Sequence, residues 1–376
     1  MADTIHIRDP IYGDVEVSDV ARMILETPQM QRLRYIKQLG FTYLVFPGAN
    51  HSRFEHSVGS MHVTQDILDN INGNRFPEMP IIGLLHDIGH GPFSHQSEDV
   101  ITKYTRMSHD QWGERVIKGS VVEDVIADSG IPLRKVLRYF RGEPGSELIG
   151  GALGSDRIDY IMRDAYYTGA AYGMVDYYRL RNKLTVYRGV PAIYEQGISV
   201  AELLLMARYF MYTNVYGHHT QRIAEGMFSN ALSNAIEDGD VDPYEAAMMI
   251  DEQVMDALSE SRKAKVLVGR IRARNLFKRA YYRSVDSDVK VGEVEDALGG
   301  AGLAGDEYVA VLKGFGGEKG DITVLDRNGK RIGTLGDFSP LMGTIDSLTT
   351  GKKKLLVACD KRNVARARSA VERLLG

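Results

Sequence analysis

Three histidines and an aspartate fall within ten consecutive residues at the end of an apolar run. The segment reads His86-Asp87-Ile88-Gly89-His90-Gly91-Pro92-Phe93-Ser94-His95. Apolar residues over 81–88 recur at helical spacing, which predicts a buried helix that the glycines and proline of this segment end. His86 and His90, four residues apart, would share one face of that helix, with Asp87 beside His86. An adjacent imidazole and carboxylate on a core helix are suited to holding a divalent cation.

Histidines are concentrated in the same part of the chain, because His51 and His56 also lie between Asn50 and Gln96. A lone buried histidine beside an aspartate is more often a hydrogen-bonded core pair than a metal site. Packing explains a cluster poorly, however, since each buried imidazole needs its own polar partner. We therefore favour a functional site over a structural one.

The length and the hydrophobic pattern predict a mainly α-helical fold with a small appendage. A chain of 376 residues suggests two domains, or one large helical domain with an addition. Two short strands are predicted within residues 5–17, and helices follow to about Tyr282. They include a helix over 28–39, a helix that Ser155 would cap and a Tyr-rich helix over 203–222. Later strands are predicted at 307–312, 321–325 and 355–359, with a hairpin turn at 327–330 and a final helix. We expect a domain over residues 1–290, a Gly-rich linker over 291–305 and a small C-terminal α/β domain over 306–376.

Composition and charge narrow the class of protein. The single cysteine, Cys359, fits a reducing compartment, no signal peptide is evident, and the most apolar helix is broken by Glu202 and Arg208. We therefore expect a cytoplasmic protein that does not associate with membranes. The net charge of −4 gives no general attraction to nucleic acid. Nine Lys or Arg without an acid from Arg262 to Arg283 keep a nucleotide- or nucleic-acid-binding regulator open as an alternative.

Helical spacing and side-chain chemistry point to a hydrolytic metal site. Asp156, Tyr160 and Asp164 follow one another at four-residue steps, which favours one wall of a polar pocket. Four candidate metal ligands come from three segments: His56, His86, Asp87 and Asp156. Two imidazoles and two carboxylates suit Mn, Fe, Zn or Mg without choosing among them.

Further side chains would complete such a site. Guanidinium groups are well shaped to hold phosphate oxygens, and the candidates are Arg53, Arg157 and Arg208. Imidazoles titrate near neutrality and can act as donors or general acids, with His90, His95 and His109 as candidates. Glu98, one turn after His95, could orient one of these rings.

Three segments together resemble the H…HD…D pattern of the HD-domain metal-dependent phosphohydrolases. They are Arg53-Phe54-Glu55-His56-Ser57, the segment 86–95, and Asp156-Arg157-Ile158-Asp159-Tyr160. More narrowly, the chain resembles the branch of the sterile-alpha-motif and HD-domain dNTP triphosphohydrolases and their prokaryotic relatives, although no sterile-alpha-motif domain is recognised. Residues 9–13, 27–40 and 274–278 share the likeness, which spans roughly residues 5–285.

The resemblance implies an HD-domain helical core with one divalent metal ion, of Mn, Fe, Zn, Ni or Mg, held by His56, His86, Asp87 and Asp156. Its members split a dNTP into deoxynucleoside and tripolyphosphate by attack of water on the α-phosphorus. By the same match His90 and Arg53 would touch the α-phosphate region. His95, supported by Glu98 and His109, would donate a proton to the leaving 5′-oxygen.

The resemblance also assigns substrate contacts. The triphosphate or the sugar hydroxyl would be gripped by Arg157, Tyr160, Asp164 and Arg208. The sugar would be walled by Gln38, Leu39 and Tyr216, with Tyr216 crowding a 2′-hydroxyl. Three positions depart from the animal enzyme: Arg157 stands for Lys, Glu98 for Asp and Gly217 for Gln.

Regulatory nucleotide sites of the animal enzyme are partly matched. Gln31 and Arg34 correspond to the first site, where Glu26 stands for an Asp. The second site is matched by Asp176, Arg179, His218, Arg274 and Lys278. The resemblance therefore implies activation by a nucleotide and a homo-oligomer, either a dimer or a tetramer.

Two other functions stay open from the sequence. An HD phosphohydrolase could act on another phosphoester, such as a nucleoside monophosphate or a cyclic dinucleotide. A pure nucleotide- or nucleic-acid-binding regulator ranks last, because it has no need of a complete metal-ligand set.

Overall fold

The computed structural model describes residues 5–71, 76–286, 288–314, 322–349 and 352–375. The fold is mainly α-helical, as expected. Within the described ranges, no helix combines the length and the apolar character needed to span a lipid bilayer.

The elements of the first half are, in chain order, β1 (Ile5–Asp9), β2 (Gly13–Val17), α1 (Asp19–Leu25), α2 (Pro28–Arg32), α3 (Arg53–Asn70), α4 (Met79–Leu85), α5 (His95–Thr105), α6 (His109–Ile117), α7 (Val121–Asp128), α8 (Leu133–Phe140), α9 (Glu147–Gly150), α10 (Ser155–Thr168) and α11 (Tyr177–Arg181). Those of the second half are β3 (Leu184–Tyr187), β4 (Val190–Tyr194), α12 (Ile198–Met211), α13 (His219–Glu237), α14 (Pro243–Ala246), α15 (Asp251–Glu260), α16 (Ala264–Arg272), β5 (Lys278–Asp286), α17 (Val291–Gly300), β6 (Tyr308–Gly314), β7 (Thr323–Leu325), β8 (Arg331–Thr334), α18 (Leu335–Phe338), α19 (Pro340–Thr349), β9 (Lys352–Cys359) and α20 (Val364–Leu375).

Helix α3 packs against α4 and α10, and these three helices position the motif residues of the sequence. Their apolar faces belong to the largest hydrophobic core. Gly83 allows the close approach of α4, because a Cβ there would lie 2.7 Å from Thr64 Oγ1. The Thr64 hydroxyl donates to Ser155 Oγ at 2.7 Å, which ties α3 to the start of α10. Gly154, rather than the predicted Ser155, is the N-cap of α10.

Two predicted helices are shorter than expected. The helix predicted over 28–39 ends at Arg32, and a 3₁₀ turn follows, because the backbone of residues 36–38 pairs with residues 51–53 instead. Helix α4 ends at Leu85, so the prediction of His86 and His90 on one helical face is wrong. The turn after Leu85 packs tightly on α6, where a Cβ at Gly89 would lie 2.2 Å from His109 O.

The helix predicted over 203–222 is interrupted. Helix α12 ends in a π-helical turn, Tyr212–Tyr216, and α13 begins after Gly217 with His218 as its N-cap. Such π turns are frequent at functional sites because they re-aim side chains. Here the turn carries Tyr216, one of the predicted substrate residues.

Two sheets contain strands from both sides of residue 290, where the first domain was predicted to end. One sheet has the order β3-β4-β7-β8 and another the order β5-β9-β6. Helices were predicted to continue to about Tyr282, but Lys278–Asp286 is strand β5. Residues 291–300 form α17 with Val294 and Leu298 buried, so the linker predicted over 291–305 is wrong there.

The later strands, the hairpin turn and the last helix of the predicted C-terminal domain are confirmed. Asp321, the first residue of one predicted strand, lies outside the described residues. The domain division itself stays a prediction.

Candidate metal centre and active site

The four predicted metal ligands converge on one point. His56 Nε2 lies 3.0 Å from Asp156 Oδ1 and 3.2 Å from His86 Nε2. Asp87 approaches both rings, with its oxygens 3.5 Å from His56 Nε2 and 3.4 Å from His86 Nε2. The three segments that carry the predicted ligands are therefore brought together, and Asp156 Oδ1 lies beside both imidazole rings. His56, His86 and Asp87 are buried and form one of the groups able to hold a metal.

The tautomers of the two rings fit a cation between them. His56 Nδ1 donates to Asp159 Oδ2 at 2.7 Å, and His86 Nδ1 donates to the Gly83 carbonyl at 2.8 Å. Since a neutral imidazole carries one proton, both Nε2 atoms then present lone pairs to the same point. Two nitrogen lone pairs and two carboxylates that face one another repel each other unless a proton or a cation lies between them. This donor set fits a divalent metal ion.

Protonation of His56 competes with metal binding. Burial opposes a charged ring, but the hydrogen bonds from His56 to Asp156 and Asp159 outweigh burial and raise its pKa to about 10. A metal at His56 Nε2 requires the neutral ring, so binding releases a proton. Metal affinity is expected to fall as the pH falls.

A buried ion-pair chain supports His56 from behind. The Arg163 side chain is fully buried and donates to both oxygens of Asp159, at 2.9 and 3.0 Å, and to Asp9 Oδ2 at 2.8 Å. Gly59 makes room for it, because a Cβ there would lie 2.0 Å from Asp159 Oδ1. Neither Asp159 nor Arg163 was predicted as a site residue. Their positions in the sequence could have indicated a role in the site, because Asp159 lies inside the third motif and Arg163 follows one helical turn later.

Asp159→Asn is expected to weaken metal affinity by about 10- to 100-fold, because the amide supports the His56 tautomer less strongly than the carboxylate does. Metal titration of the purified protein measures this change. Thermal unfolding run in parallel shows whether the variant folds. Unchanged metal affinity in a folded variant would contradict the positioning role of Asp159.

Arg53 links the metal-ligand cluster to a strained turn. Its Nη1 donates to Asp87 Oδ2 at 2.6 Å, and its Nε donates to Ser94 Oγ at 2.8 Å. Phe93 and Ser94 have positive φ values of 54° and 60°, a conformation that non-glycine residues seldom adopt and that clusters at functional sites. Arg53 Nη2 is buried and has no hydrogen-bond partner among the described residues. This unpaired donor is suited to an anionic ligand in the cavity.

His90 is held neutral beside Asp87. Burial and the nearby Arg53 hold its pKa well below the usual value of histidine. His90 Nε2 lies 3.2 Å from Asp87 Oδ1, so the neutral ring donates there and leaves Nδ1 as an acceptor. That Nδ1 atom is buried and lacks a partner among the described residues. It is suited to accept a hydrogen bond from water rather than to donate to phosphate.

His95, Glu98 and His109 form a second polar cluster. Glu98 accepts from His95 Nδ1 at 2.8 Å and from His109 Nδ1. His109 stacks on His90, with ring centroids 4.3 Å apart. Burial opposes protonation of His109, but the hydrogen bond to Glu98 and the charges of neighbouring acids raise its pKa. The predicted grouping of these residues is therefore present.

A cavity of about 620 Å³ joins both clusters, a size within the usual range of ligand sites. Several predicted substrate residues line it: Gln38, Leu39, Tyr160, Asp164 and Tyr216. Asp164 is fixed on both oxygens, by Tyr216 OH at 2.6 Å and His51 Nε2 at 2.8 Å. Arg157 and Arg208 lie beside Tyr160, where they oppose the burial that raises its pKa to about 12.

One wall of the cavity was not foreseen. It contains Gln221 from α13 and Tyr282, Lys313 and Lys354 from the sheet β5-β9-β6. No sequence pattern predicted this wall, because its residues come from one helix and from strands far apart in the chain, and only the packing of α13 on the sheet brings them together.

The predicted regulatory residues contact other residues of the chain in this structure. Arg34 donates to Gln31 Oε1 at 2.9 Å, and Arg274 donates to the Leu44 carbonyl at 3.1 Å. Asp176 caps α11 through the Arg179 amide, His218 caps α13, and Lys278 begins β5. Their role in nucleotide binding stays a prediction.

The basic run from Arg262 to Arg283 is partly neutralised. Lys263 pairs with Asp238 at 2.6 Å, Arg270 with Asp360 at 3.0 Å, and Arg272 with Asp256 at 2.5 Å. These contacts agree with a solvated structural surface.

Comparisons with known proteins bear on this geometry. The HD domain family model matches residues 53–138, and the model of the HD associated region matches residues 175–298. A hypothetical protein from Aquifex aeolicus of known structure is 32% identical, with a TM-score of 0.79, covering 98% of this chain and 100% of that one. The chain belongs to the HD-domain phosphohydrolases. The HD domain match contains His56, His86 and Asp87, whereas Asp156 lies between the two matched regions.

Other HD-family relatives carry names that refer to function. A phosphohydrolase from Bacteroides thetaiotaomicron is 25% identical with a TM-score of 0.78, covering 96% of this chain and 100% of that one. A protein from Dictyostelium discoideum named deoxynucleoside triphosphate triphosphohydrolase SAMHD1 homolog is 30% identical over 72% of this chain and 59% of its own length. An uncharacterized protein of Methanocaldococcus jannaschii is 38% identical over 72% of this chain and 58% of its own length. The chain thus spans less than two thirds of the curated relatives it matches.

Proposed function

We propose that this HD phosphohydrolase is a dNTP triphosphohydrolase, which releases deoxynucleoside and tripolyphosphate. The observation that carries the proposal is the convergence of His56, His86, Asp87 and Asp156 beside a cavity large enough for a nucleotide. The name of the Dictyostelium relative, which contains this activity, supports the substrate class.

In this proposal the two imidazoles and the two carboxylates hold the metal, whose identity stays open among Mn, Fe, Zn, Ni and Mg. When bound, a divalent cation lowers the pKa of a coordinated water and neutralises charge on phosphoryl oxygens. The unpaired Nη2 of Arg53 donates to a non-bridging oxygen of the α-phosphate. His90 Nδ1 accepts a hydrogen bond from the attacking water and so orients it.

The leaving 5′-oxygen needs a proton, which the cluster of His95, Glu98 and His109 is arranged to supply. Glu98 fixes both rings through their Nδ1 atoms, so a protonated ring would donate its proton from Nε2. His95 is the proposed donor, and Glu98 and His109 position it.

Glu98→Gln is expected to move the alkaline limb of the kcat profile to lower pH. The carboxylate raises the pKa of His109, so in the variant the protonated form of the cluster that supplies the proton is lost at a lower pH. Steady-state rates from pH 6 to 10 at constant metal saturation measure this shift. An unchanged alkaline limb would contradict the role of the cluster as proton donor.

The sugar and the triphosphate are assigned to the remaining walls. Gln38, Leu39 and Tyr216 enclose the sugar, and Tyr216 is fixed by its hydrogen bond to Asp164. This fixed ring leaves little freedom to accommodate a 2′-hydroxyl, which favours deoxyribose. Arg157, Tyr160, Asp164 and Arg208 are the proposed contacts to the triphosphate or the 3′-hydroxyl.

Product analysis tests the proposal against other HD chemistry. The purified protein is incubated with each dNTP, with and without GTP, in Mn²⁺ or Mg²⁺, and the products are separated by anion exchange and ³¹P NMR. Tripolyphosphate and deoxynucleoside in equal amounts support the proposal. Orthophosphate from a nucleoside monophosphate, or a linear dinucleotide from a cyclic one, without cleavage of any dNTP would favour the alternative phosphoester substrate.

Three accompanying expectations are proposed with this function. The protein forms a homo-oligomer, a dimer or a tetramer, and a nucleotide activates it through the two predicted regulatory groups. It acts in the cytoplasm. Sedimentation with and without GTP tests the first two expectations together.

A further inference from the structure

The sheet β5-β9-β6 is fixed close to the active site by its packing on α13. Val309, Leu356 and Ala358 belong to the same hydrophobic core as Met227 of α13. Gly226 permits this contact, because a Cβ there would lie 2.1 Å from Val309 Cγ1. Side chains alternate between the two faces of a strand, so Lys313 lies on the same face of β6 as Val309. The packing therefore directs this end of the sheet to the cavity.

Two lysines are paired across this end of the sheet. Lys313 of β6 lies directly opposite Lys354 of β9 in the strand register, and both line the cavity. Like charges directly opposite each other destabilise a sheet. Lys313 is exposed along the cavity and Lys354 is partly buried there, and no carboxylate of the described residues lies within ion-pairing distance of Lys313. Two ammonium groups at one end of a cavity are suited to a ligand with hydrogen-bond acceptors.

A buried acceptor stands on the same wall. Gln221 is 4% exposed, and its Nε2 donates to Glu225 Oε1 at 2.9 Å. The other oxygen of Glu225 accepts from Arg222 at 2.9 Å. Because a carboxylate only accepts, the amide nitrogen of Gln221 must face Glu225, which fixes the orientation of the amide. Gln221 Oε1 then has no hydrogen-bond partner among the described residues and calls for a donor.

The combination of donors and an acceptor selects the kind of group that binds here. A phosphate offers only acceptors, so it would suit the lysines but be repelled by Gln221 Oε1 and Glu225. A nucleobase offers both kinds of group on one edge, and the Tyr282 ring on the same wall gives an aromatic surface for contact. Guanine and thymine carry a carbonyl next to a ring N–H, whereas adenine and cytosine carry an amino group next to an unprotonated ring nitrogen.

We infer that Lys313, Lys354 and Gln221 read the base of the nucleotide, so that the enzyme prefers guanine and thymine to adenine and cytosine. The lysines donate to the base carbonyl, and Gln221 Oε1 accepts from the ring N–H. This inference rests on the proposed function, because it assumes a dNTP in the cavity. It assigns a specificity role to the C-terminal sheet.

The test compares kcat/KM for dGTP, dTTP, dATP and dCTP in the wild-type protein and in Lys313→Met. We expect the wild type to favour dGTP and dTTP. In the variant, kcat/KM should fall about tenfold for these two substrates, which is the effect of losing one hydrogen bond from a charged donor. It should fall less than about threefold for the other two substrates. Gln221→Met should reduce the same preference. Lys353→Met is the matched control, because its position next to Lys354 in β9 places it on the other face of the sheet.

The outcomes separate this inference from the function on which it rests. An equal loss for all four substrates in Lys313→Met would assign the lysines to the triphosphate and overturn the inference, while tripolyphosphate formation would leave the proposed function standing. Equal kcat/KM for the four substrates in the wild type would also overturn it. Failure to cleave any dNTP would overturn both. The variant should unfold at no lower temperature than the wild type, since it removes a like-charge pair.

Discussion

Asp156→Ala is expected to abolish bound metal and to reduce hydrolysis on the order of a thousandfold or more, about 4 kcal/mol of transition-state stabilisation. Asp156 Oδ1 lies 3.0 Å from His56 Nε2 and 3.7 Å from His86 Nε2, so its loss removes one of two carboxylates around the proposed ion. Metal analysis after dialysis and the rate of dNTP hydrolysis measure the two effects. The Asp156 side chain is 30% exposed and lies in the first turn of α10, so the fold should survive the change.

The control for this variant is Asp128→Ala, which removes an exposed carboxylate at the end of α7. It should keep both metal content and activity. If Asp156→Ala retained one equivalent of metal and the wild-type rate, Asp156 would not be a ligand.

Arg163→Met is expected to give the largest loss of stability, about 3–5 kcal/mol in the free energy of unfolding. The guanidinium is fully buried between Asp159 and Asp9, and its removal leaves two buried carboxylates without their cation. Methionine fills much of the same volume, so the loss of charge outweighs the loss of packing. Urea unfolding followed by circular dichroism measures the difference.

The matched control is Arg134→Met on α8, which removes an exposed guanidinium and should change the stability by less than about 0.5 kcal/mol. An Arg163→Met protein as stable as this control would show that the buried ion pair does not hold α10 to β1. The same variant should also bind metal more weakly, because Asp159 loses the partner that fixes it behind His56.

The parts of the site that the sequence could predict are those carried by short motifs. His56, His86, Asp87 and Asp156 stand in motifs whose residue types already define metal-ligand chemistry, and helical packing then brings them together. Helix ends were harder to predict. The helix predicted through His90 ends at Leu85, because the turn after it packs against α6. The spacing of apolar residues in the sequence does not predict such a tertiary contact.

The parts that the sequence could not predict depend on pairing between distant strands. Lys313 and Lys354 are 41 positions apart, and only the register of β6 with β9 makes them neighbours at the cavity. The role of Gln221 likewise could not be predicted, because it depends on Glu225, whose carboxylate fixes the orientation of the Gln221 amide. The helix α17 was mistaken for a linker because its glycines at positions 299 and 300 mark its end rather than a loose segment.

Hydrolysis of a dNTP in ¹⁸O-labelled water shows which phosphorus atom the water attacks. Attack on the α-phosphorus at the proposed centre places the label in tripolyphosphate and leaves the 5′-hydroxyl of the deoxynucleoside unlabelled, as mass spectrometry of both products shows. Label in orthophosphate, with a dNDP as the other product, or label in the deoxynucleoside itself would contradict the account.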